Sequence, residues 1–425
     1  MPPCWRAPRD GSLGRRRGTD VRLFEATPGP PPGPRRVLAD LGPSTLANGI
    51  LGLVFAASGP LAIVLSVGTA SGLGPDALAS WIFGIFFVNG LITFGMSWVY
   101  RQPLAFFWTI PGAVLVGPAL KHLSLPEVVG AYLVTAVLIL LVGATGWVRR
   151  AINAVPMPIV MAMVAGVFLR FGTDLVRGVH ADPVLGAAMI GVFVALSALP
   201  SLSRRVPPLI GVLIVGAAVA WWLGRFGSTP AGTIEIARPA LVTPAFSLPA
   251  LIELVLPLAI TVLVVQNGQG FAVLKAAGHE PPVNASTILC GVGSLLAAAV
   301  GAVSSCVTGP TNALLTSSGR VERQYTAGLV TGLLAILFGL LSPALTRIML
   351  AAPREYVMLV AGLAMLKVLQ AAFVTSFGGS STLGALICFV YTVSDMPIYG
   401  IGAPFWGLLF GLSASRLLEG RSRAV

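Results

Sequence analysis

After residue 45 the chain consists of recurring apolar runs of about twenty residues, each long enough to cross a bilayer as a helix. A hydrocarbon core offers no water to backbone N–H and C=O groups, so a single spanning segment must satisfy its own, and helices do this. With 56% hydrophobic and 10% charged residues, the chain reads as an all-α polytopic membrane protein. Fourteen segments are expected, at approximately 46–69, 78–99, 103–120, 127–148, 155–173, 183–201, 207–224, 248–274, 285–303, 304–319, 325–347, 355–375, 381–394 and 399–416.

The formal net charge of +12 does not mark a nucleic-acid partner, because the basic residues occupy a tail and short loops rather than one polar face. The first forty-odd residues hold eight arginines, including Arg15-Arg16-Arg17, with many Pro and Gly and no apolar run. This predicts a disordered tail rather than a signal peptide. If that tail is cytoplasmic, the same side collects Arg101, Arg149, Arg150, Arg204, Arg205, Lys275, Arg320, Arg323, Arg416, Arg421 and Arg423. The opposite side holds Lys121, Arg170, Arg177, Arg225, Arg238, Arg347 and Arg354. The asymmetry puts both termini inside and requires an even number of spans. Cys4, Cys290, Cys306 and Cys388 lack the close spacing of a metal or disulfide framework.

The two halves resemble each other in order. Leu133-Val134-Thr135-Ala136-Val137-Leu138 returns as Leu329-Val330-Thr331-Gly332-Leu333-Leu334, and Val164-Ala165-Gly166-Val167-Phe168-Leu169 as Val360-Ala361-Gly362-Leu363-Ala364-Met365-Leu366. Seven spans per half is an odd number, so the second copy enters from the opposite side, giving a 7+7 inverted repeat. Segments 103–120 and 304–319 are both interrupted, at Thr109-Ile110-Pro111-Gly112 and Thr308-Gly309-Pro310-Thr311-Asn312. Paired, broken apolar segments point to a transporter's central site, because a helix beginning in mid-membrane turns unpaired N–H groups toward a cavity.

Span 8 carries Gln266-Asn267-Gly268-Gln269-Gly270, amides that must find partners at depth. They either line the site or join neighbouring helices. The equivalent place in span 1, Ser58-Gly59-Pro60, is also polar and helix-weakening. Thr308, Thr311 and Asn312 flank Pro310, which suits the first turn of a helix. Phe106, Phe107 and Trp108 either stack on a ring-bearing substrate or pack and face lipid. Acidic residues fall at span ends, and Glu253 lies about three turns outward from Gln266. Lys367 either snorkels or supplies positive charge to the cavity. His122, His180 and His279 read as loop residues. Catalysis within the membrane needs a nucleophile–base pair or clustered metal ligands, and neither pattern is present, so no enzyme, cofactor or metal is expected. A channel stays open as an alternative that counterflow would separate.

Pro156-Met157-Pro158-Ile159-Val160, Pro207-Pro208-Leu209-Ile210-Gly211, Gln266-Asn267-Gly268-Gln269-Gly270 and Thr308-Gly309-Pro310-Thr311-Asn312-Ala313 resemble the bacterial benzoate:proton symporter family, over about residues 38–418. That family is similar in architecture to uracil/xanthine permeases and sulfate-type anion carriers. The resemblance implies an inner-membrane symporter with protons and a small aromatic carboxylate as partners, and a homodimer stays open. It also implies that each broken segment is a short β-strand leading into a half-helix. A core domain would comprise 46–150 and 247–350, and a gate domain 151–246 and 351–418, between tails 1–45 and 419–425. Substrate contacts are expected at Gln266, Asn267, Thr308, Gly309, Pro310, Thr311, Asn312, Thr109, Pro111, Gly112, Ser58 and Gly59; the proton either enters through Glu253 or travels on the substrate, and Lys367 is the charge partner if it does not snorkel. Nucleobase permeases carry glutamates in spans 8 and 10, where this chain has Gln266 and Asn312, and an amide donates to an anion without charge repulsion. The alternative is a permease for another small organic anion or a nucleobase.

Overall fold

Proline opens most of the helices, at a place where its missing N–H is one that no helix uses. The computed structural model describes residues 23–148, 150, 156–199, 208–225, 235–317, 319–399 and 401–419. Cys4, Arg15-Arg16-Arg17, Arg149, Arg204, Arg205, Pro207, Arg421 and Arg423 lie outside the described residues, as do the ends of both expected tails.

The first half runs through α1 (Pro34–Asp40), α2 (Pro43–Ala56), α3 (Gly59–Ala70), α4 (Pro75–Phe83), α5 (Asn89–Tyr100), β1 (Phe106–Trp108), α6 (Ile110–Ala119), α7 (Leu125–Ala144), α8 (Met157–Ala181), α9 (Pro183–Ala198) and α10 (Pro208–Trp222). The second runs through α11 (Leu248–Ile260), α12 (Asn267–Ala276), α13 (Val283–Ala299), β2 (Ser305–Val307), α14 (Gly309–Leu315), α15 (Tyr325–Leu340), α16 (Ser342–Leu350), α17 (Arg354–Phe377), α18 (Thr382–Ser394) and α19 (Ala403–Ala414). Among the described residues seven helical stretches are long and apolar enough to cross a membrane, and five further apolar helices are shorter.

Both broken segments are a strand followed by a half-helix. The strands pair antiparallel, Phe106 opposite Val307 and Trp108 opposite Ser305. Their opposed directions start α6 and α14 from opposite ends of the strand pair. Span 1 also breaks, at Ser58, which separates α2 from α3, and span 8 passes through a π-helical stretch, Thr261–Gln266, before α12 begins. The expected span 325–347 is divided, α15 ending at Leu340 and α16 beginning at Ser342.

Packing sorts the helices into two sets. In the first, α15 packs on α2 and α5, α7 packs on α11 and α13, and the span that holds α5 joins the two groups by touching α13; in the second, α8, α9, α10, α17, α18 and α19 pack together, while α3 and α6 touch both sets and α11 meets α19. Within the first set, Gly90 of α5 and Gly332 of α15 meet backbone to backbone, an approach that small residues permit. Between the sets, α3 lies on α17, with Gly59 so close to Ala364 that a Cβ would collide with it.

The expectation of a disordered tail through residue 45 is corrected for its described part. The Glu25 carboxylate accepts from the Asn284 and Ala285 N–H groups at 2.7 and 3.0 Å, at the start of α13. Trp98 Nε1 donates to the Pro32 carbonyl at 2.9 Å, and Tyr325 donates to Asp40 at 2.9 Å. Residues 23–41 therefore form a strap across one end of the first helix set, held by contacts distant in sequence.

Candidate functional site

The crossing of the two broken segments is framed by side chains that answer backbone groups left open by the short strands. Asn312, fully buried, accepts from the Ala105 N–H at 2.9 Å and donates to the carbonyls of Ala105 and Thr308 at 3.2 and 2.7 Å. Asn267 accepts from the Val307 N–H at 2.8 Å and so ties the end of the π-helical stretch to β2. Thr109 caps α6 by accepting from the Gly112 N–H at 3.1 Å, and its hydroxyl donates to Thr261, which donates to the Leu258 carbonyl. At this depth an unmade hydrogen bond is costly, so such links fix the geometry around them.

Inside this frame lies a cavity of about 10 Å³, room for roughly one water molecule. It is lined by Phe55, Ala56, Pro60, Phe107, Trp108, Ile110, Gln266, Thr308, Pro310 and Thr311. Among the described residues, two of these carry buried polar atoms without a hydrogen-bond partner, Trp108 Nε1 and Thr308 Oγ1. The indole N–H only donates, a hydroxyl can donate, and the Gln266 amide adds further N–H donors. Among the described residues no carboxylate lines the cavity. The arrangement presents donors within an apolar and aromatic enclosure, which is the chemistry needed to hold an anion attached to a ring.

Of the expected contacts, the structure brings Gln266, Thr308, Pro310 and Thr311 together around this cavity, with Phe107 and Trp108 beside them. Others of the expected contacts serve the frame. The Asn312 amide is engaged at both ends by backbone, so its expected role as a substrate donor is corrected: the strand start at Ala105 needs it. Asn267, Thr109 and Gly112 hold the frame in the same way, and Asn267 Nδ2 is left without a partner. Ser58 donates to the Phe55 carbonyl at 2.7 Å, and Gly59 faces Ala364, so at this break it is Phe55, Ala56 and Pro60 that reach the cavity. Gly309 abuts Gln269, and Pro111 is buried within α6. Phe106 packs in the core behind β1.

Glu253 is buried, with its Oε2 3.0 Å from His122 Nε2. The backbone of Gly402, at the start of α19, also hydrogen-bonds this carboxylate. Beside it Lys121 and Asp395 form an ion pair at 3.0 Å that joins the end of α6 to the end of α18. His122 belongs to this group although its sequence context is a loop; its one signal was its place directly after a broken segment. Lys367 is exposed, one turn along α17 from Ala364, and does not line the cavity.

The chain is 29% identical over 381 residues to the inner membrane protein YdcO of Escherichia coli (strain K12), an alignment covering 88% of this chain and 95% of that protein. It is 28% identical over 382 residues to the benzoate membrane transport protein of Acinetobacter baylyi, with the same coverage. In fold it is similar to the transmembrane domain of a cyanobacterium bicarbonate transporter, BicA, with a TM-score of 0.59 at 17% identity over 87% of this chain and 98% of that one. It is also similar to SLC26A9, with a TM-score of 0.56 at 13% identity over 88% of this chain and 65% of that one. The profile of the benzoate membrane transport protein family matches residues 39–417, so the chain belongs to that family of membrane transporters.

Proposed function

We propose that the protein imports benzoate or a similar aromatic carboxylate together with protons, across an inner membrane, with both termini cytoplasmic. The observation that carries this reading is the cavity itself: among the described residues, Trp108 Nε1 and Thr308 Oγ1 lack partners beside the Gln266 amide, in a largely apolar wall without a carboxylate. Buried donors left open in a folded protein are destabilising, and an incoming carboxylate would satisfy them. Phe107, Phe55 and the Trp108 ring then give the substrate's ring its contacts.

A cavity of about 10 Å³ is too small for an aromatic acid, so the site must open to load. The division into two helix sets supports alternating access, with α2–α7 and α11–α15 as a core that moves against a gate of α8–α10 and α17–α19. A 7+7 inverted repeat, as expected from the sequence, would supply the symmetry for two such states. Glu253 bridges the two sets through His122 on one side and Gly402 on the other. It is therefore the proposed proton carrier, its protonation weakening the hold on the gate.

Uptake of labelled benzoate into proteoliposomes under an imposed pH gradient tests the reading. Accumulation that follows the gradient supports it, whereas accumulation of uracil or sulfate but not benzoate would overturn it.

A further inference from the structure

Above the cavity, toward the end of α6, the two helix sets separate into a crevice of about 410 Å³. Its walls come from α3 and α6 on one side and from α8, α18 and the start of α19 on the other. This volume is within the range of small-molecule sites, roughly 300–1,000 Å³. Val67, Val114, Val167 and Phe171 supply apolar surface, and Lys121, Arg170 and Arg177 supply cationic heads. An adjoining hollow shares Ser66, Arg170 and Arg177 and adds Arg354 and Asp174.

The charges do not cancel. Asp174 is 3.8 Å from Arg170 and 3.2 Å from Arg177, and Asp395 pairs with Lys121. Across both hollows four cationic side chains (Lys121, Arg170, Arg177, Arg354) face two carboxylates (Asp174, Asp395), a net charge of +2. Arg170 and Arg177 are half or more exposed, so the field reaches solvent, where it raises the local concentration of anions in a salt-dependent way.

The same two helices, α3 and α6, line both the crevice and the central cavity. On α3, Pro60 lines the cavity and Val67 the crevice; on α6, Ile110 lines the cavity and Gly117 the crevice. Seven residues of helix separate the two levels, roughly 10 Å at 1.5 Å per residue. We infer that this crevice is an outer vestibule that captures the aromatic carboxylate, its ring against Val114, Val167 and Phe171 and its charge beside Arg170 and Arg177, before the central cavity opens. The inference rests on the proposed function, since it specifies the same substrate at an earlier station.

The test uses the full chain in proteoliposomes, with initial rates of labelled benzoate uptake measured across substrate concentration at low and high ionic strength. The double variant Arg170→Gln/Arg177→Gln is expected to raise KM by roughly three- to tenfold with kcat retained, and to flatten the salt dependence of kcat/KM that the parent shows. Arg170→Lys/Arg177→Lys, which keeps the charge, should restore both quantities toward the parent. A double Gln variant with the parent's KM and salt dependence would overturn the vestibule while leaving the proposed function intact. A kcat that falls with KM unchanged would overturn it too, by assigning the arginines to the transport cycle. Absence of benzoate uptake by the parent would overturn both readings.

Discussion

Asn312 holds Ala105 by both of its backbone groups, taking the N–H at 2.9 Å and donating to the carbonyl at 3.2 Å. The two residues belong to opposite halves of the chain, and their union sets where the half-helix α14 stands relative to β1. Asn312→Asp would replace the donor with an oxygen facing the carbonyls of Ala105 and Thr308. An unsatisfied buried group costs about 1–3 kcal/mol, so we expect a clear fall in thermal stability in detergent, the same with and without benzoate. A variant with unchanged melting and selectively weakened benzoate binding would return Asn312 to the substrate.

Gln266 faces the cavity, and its variants should separate charge from hydrogen bonding. Losing one hydrogen bond to a charged group is worth roughly 1.5–3 kcal/mol, about ten- to a hundredfold in affinity. Gln266→Glu should be worse than Gln266→Ala at neutral pH, because an ionised carboxylate beside a bound anion adds repulsion in a low-dielectric site. Lowering the pH protonates that carboxylate and should partly rescue Gln266→Glu but not Gln266→Ala. Benzoate affinities normalised to the parent at each pH decide the matter, and equal affinity of Gln266→Glu and the parent at neutral pH would place Gln266 outside the site.

The Glu253–His122 pair makes a different demand. Glu253→Gln removes the ionisable group while keeping shape and most hydrogen bonds, so gradient-driven accumulation should be abolished and benzoate exchange retained. His122→Ala should reproduce the defect in part, because Gly402 still holds the carboxylate. Unchanged accumulation in Glu253→Gln would eliminate this residue and leave the proton to travel on the substrate.

The breaks at Ser58-Gly59-Pro60 and Thr308-Gly309-Pro310 were legible because they are written in local chemistry: proline and glycine interrupt a helix whatever surrounds them. The π-helical stretch before Asn267 sits where the amides crowd, although its form was not readable. What sequence alone could not tell was the direction in which each polar side chain turns. Asn312 looked like a ligand donor, yet its partner Ala105 is 207 residues away. His122 looked like an idle loop residue, yet it meets Glu253 across 131 residues. The strap at 23–41 reads as tail because its composition is that of a tail, and Glu25 is held by partners far along the chain, the open N–H groups at the start of α13 and the Tyr100 hydroxyl. Helix beginnings and apolar faces are short-range properties, whereas the partner of a buried amide is a property of the whole fold.

Trp108 tests whether the unpartnered donors serve a ligand. Trp108→Phe keeps an aromatic face toward Phe86, whose ring centroid is 5.2 Å from that of the indole, and removes only the N–H and part of the ring. Without ligand, deleting a buried donor that has no partner should leave stability unchanged or raise it, since such a group carries a desolvation penalty of about 1–3 kcal/mol. The loss of indole contacts works against this gain, so a small net change is expected. With benzoate the sign reverses: the lost bond to the carboxylate should weaken affinity by roughly ten- to a hundredfold. A residue that merely packs would lose stability and affinity together, whereas a substrate donor loses affinity while the unliganded protein holds or gains. Thermal melting of Trp108→Phe with and without benzoate, beside Thr308→Val for the hydroxyl, reads both quantities. If either variant keeps the parent's ligand-induced rise in melting temperature, that residue's donor is not used by the substrate.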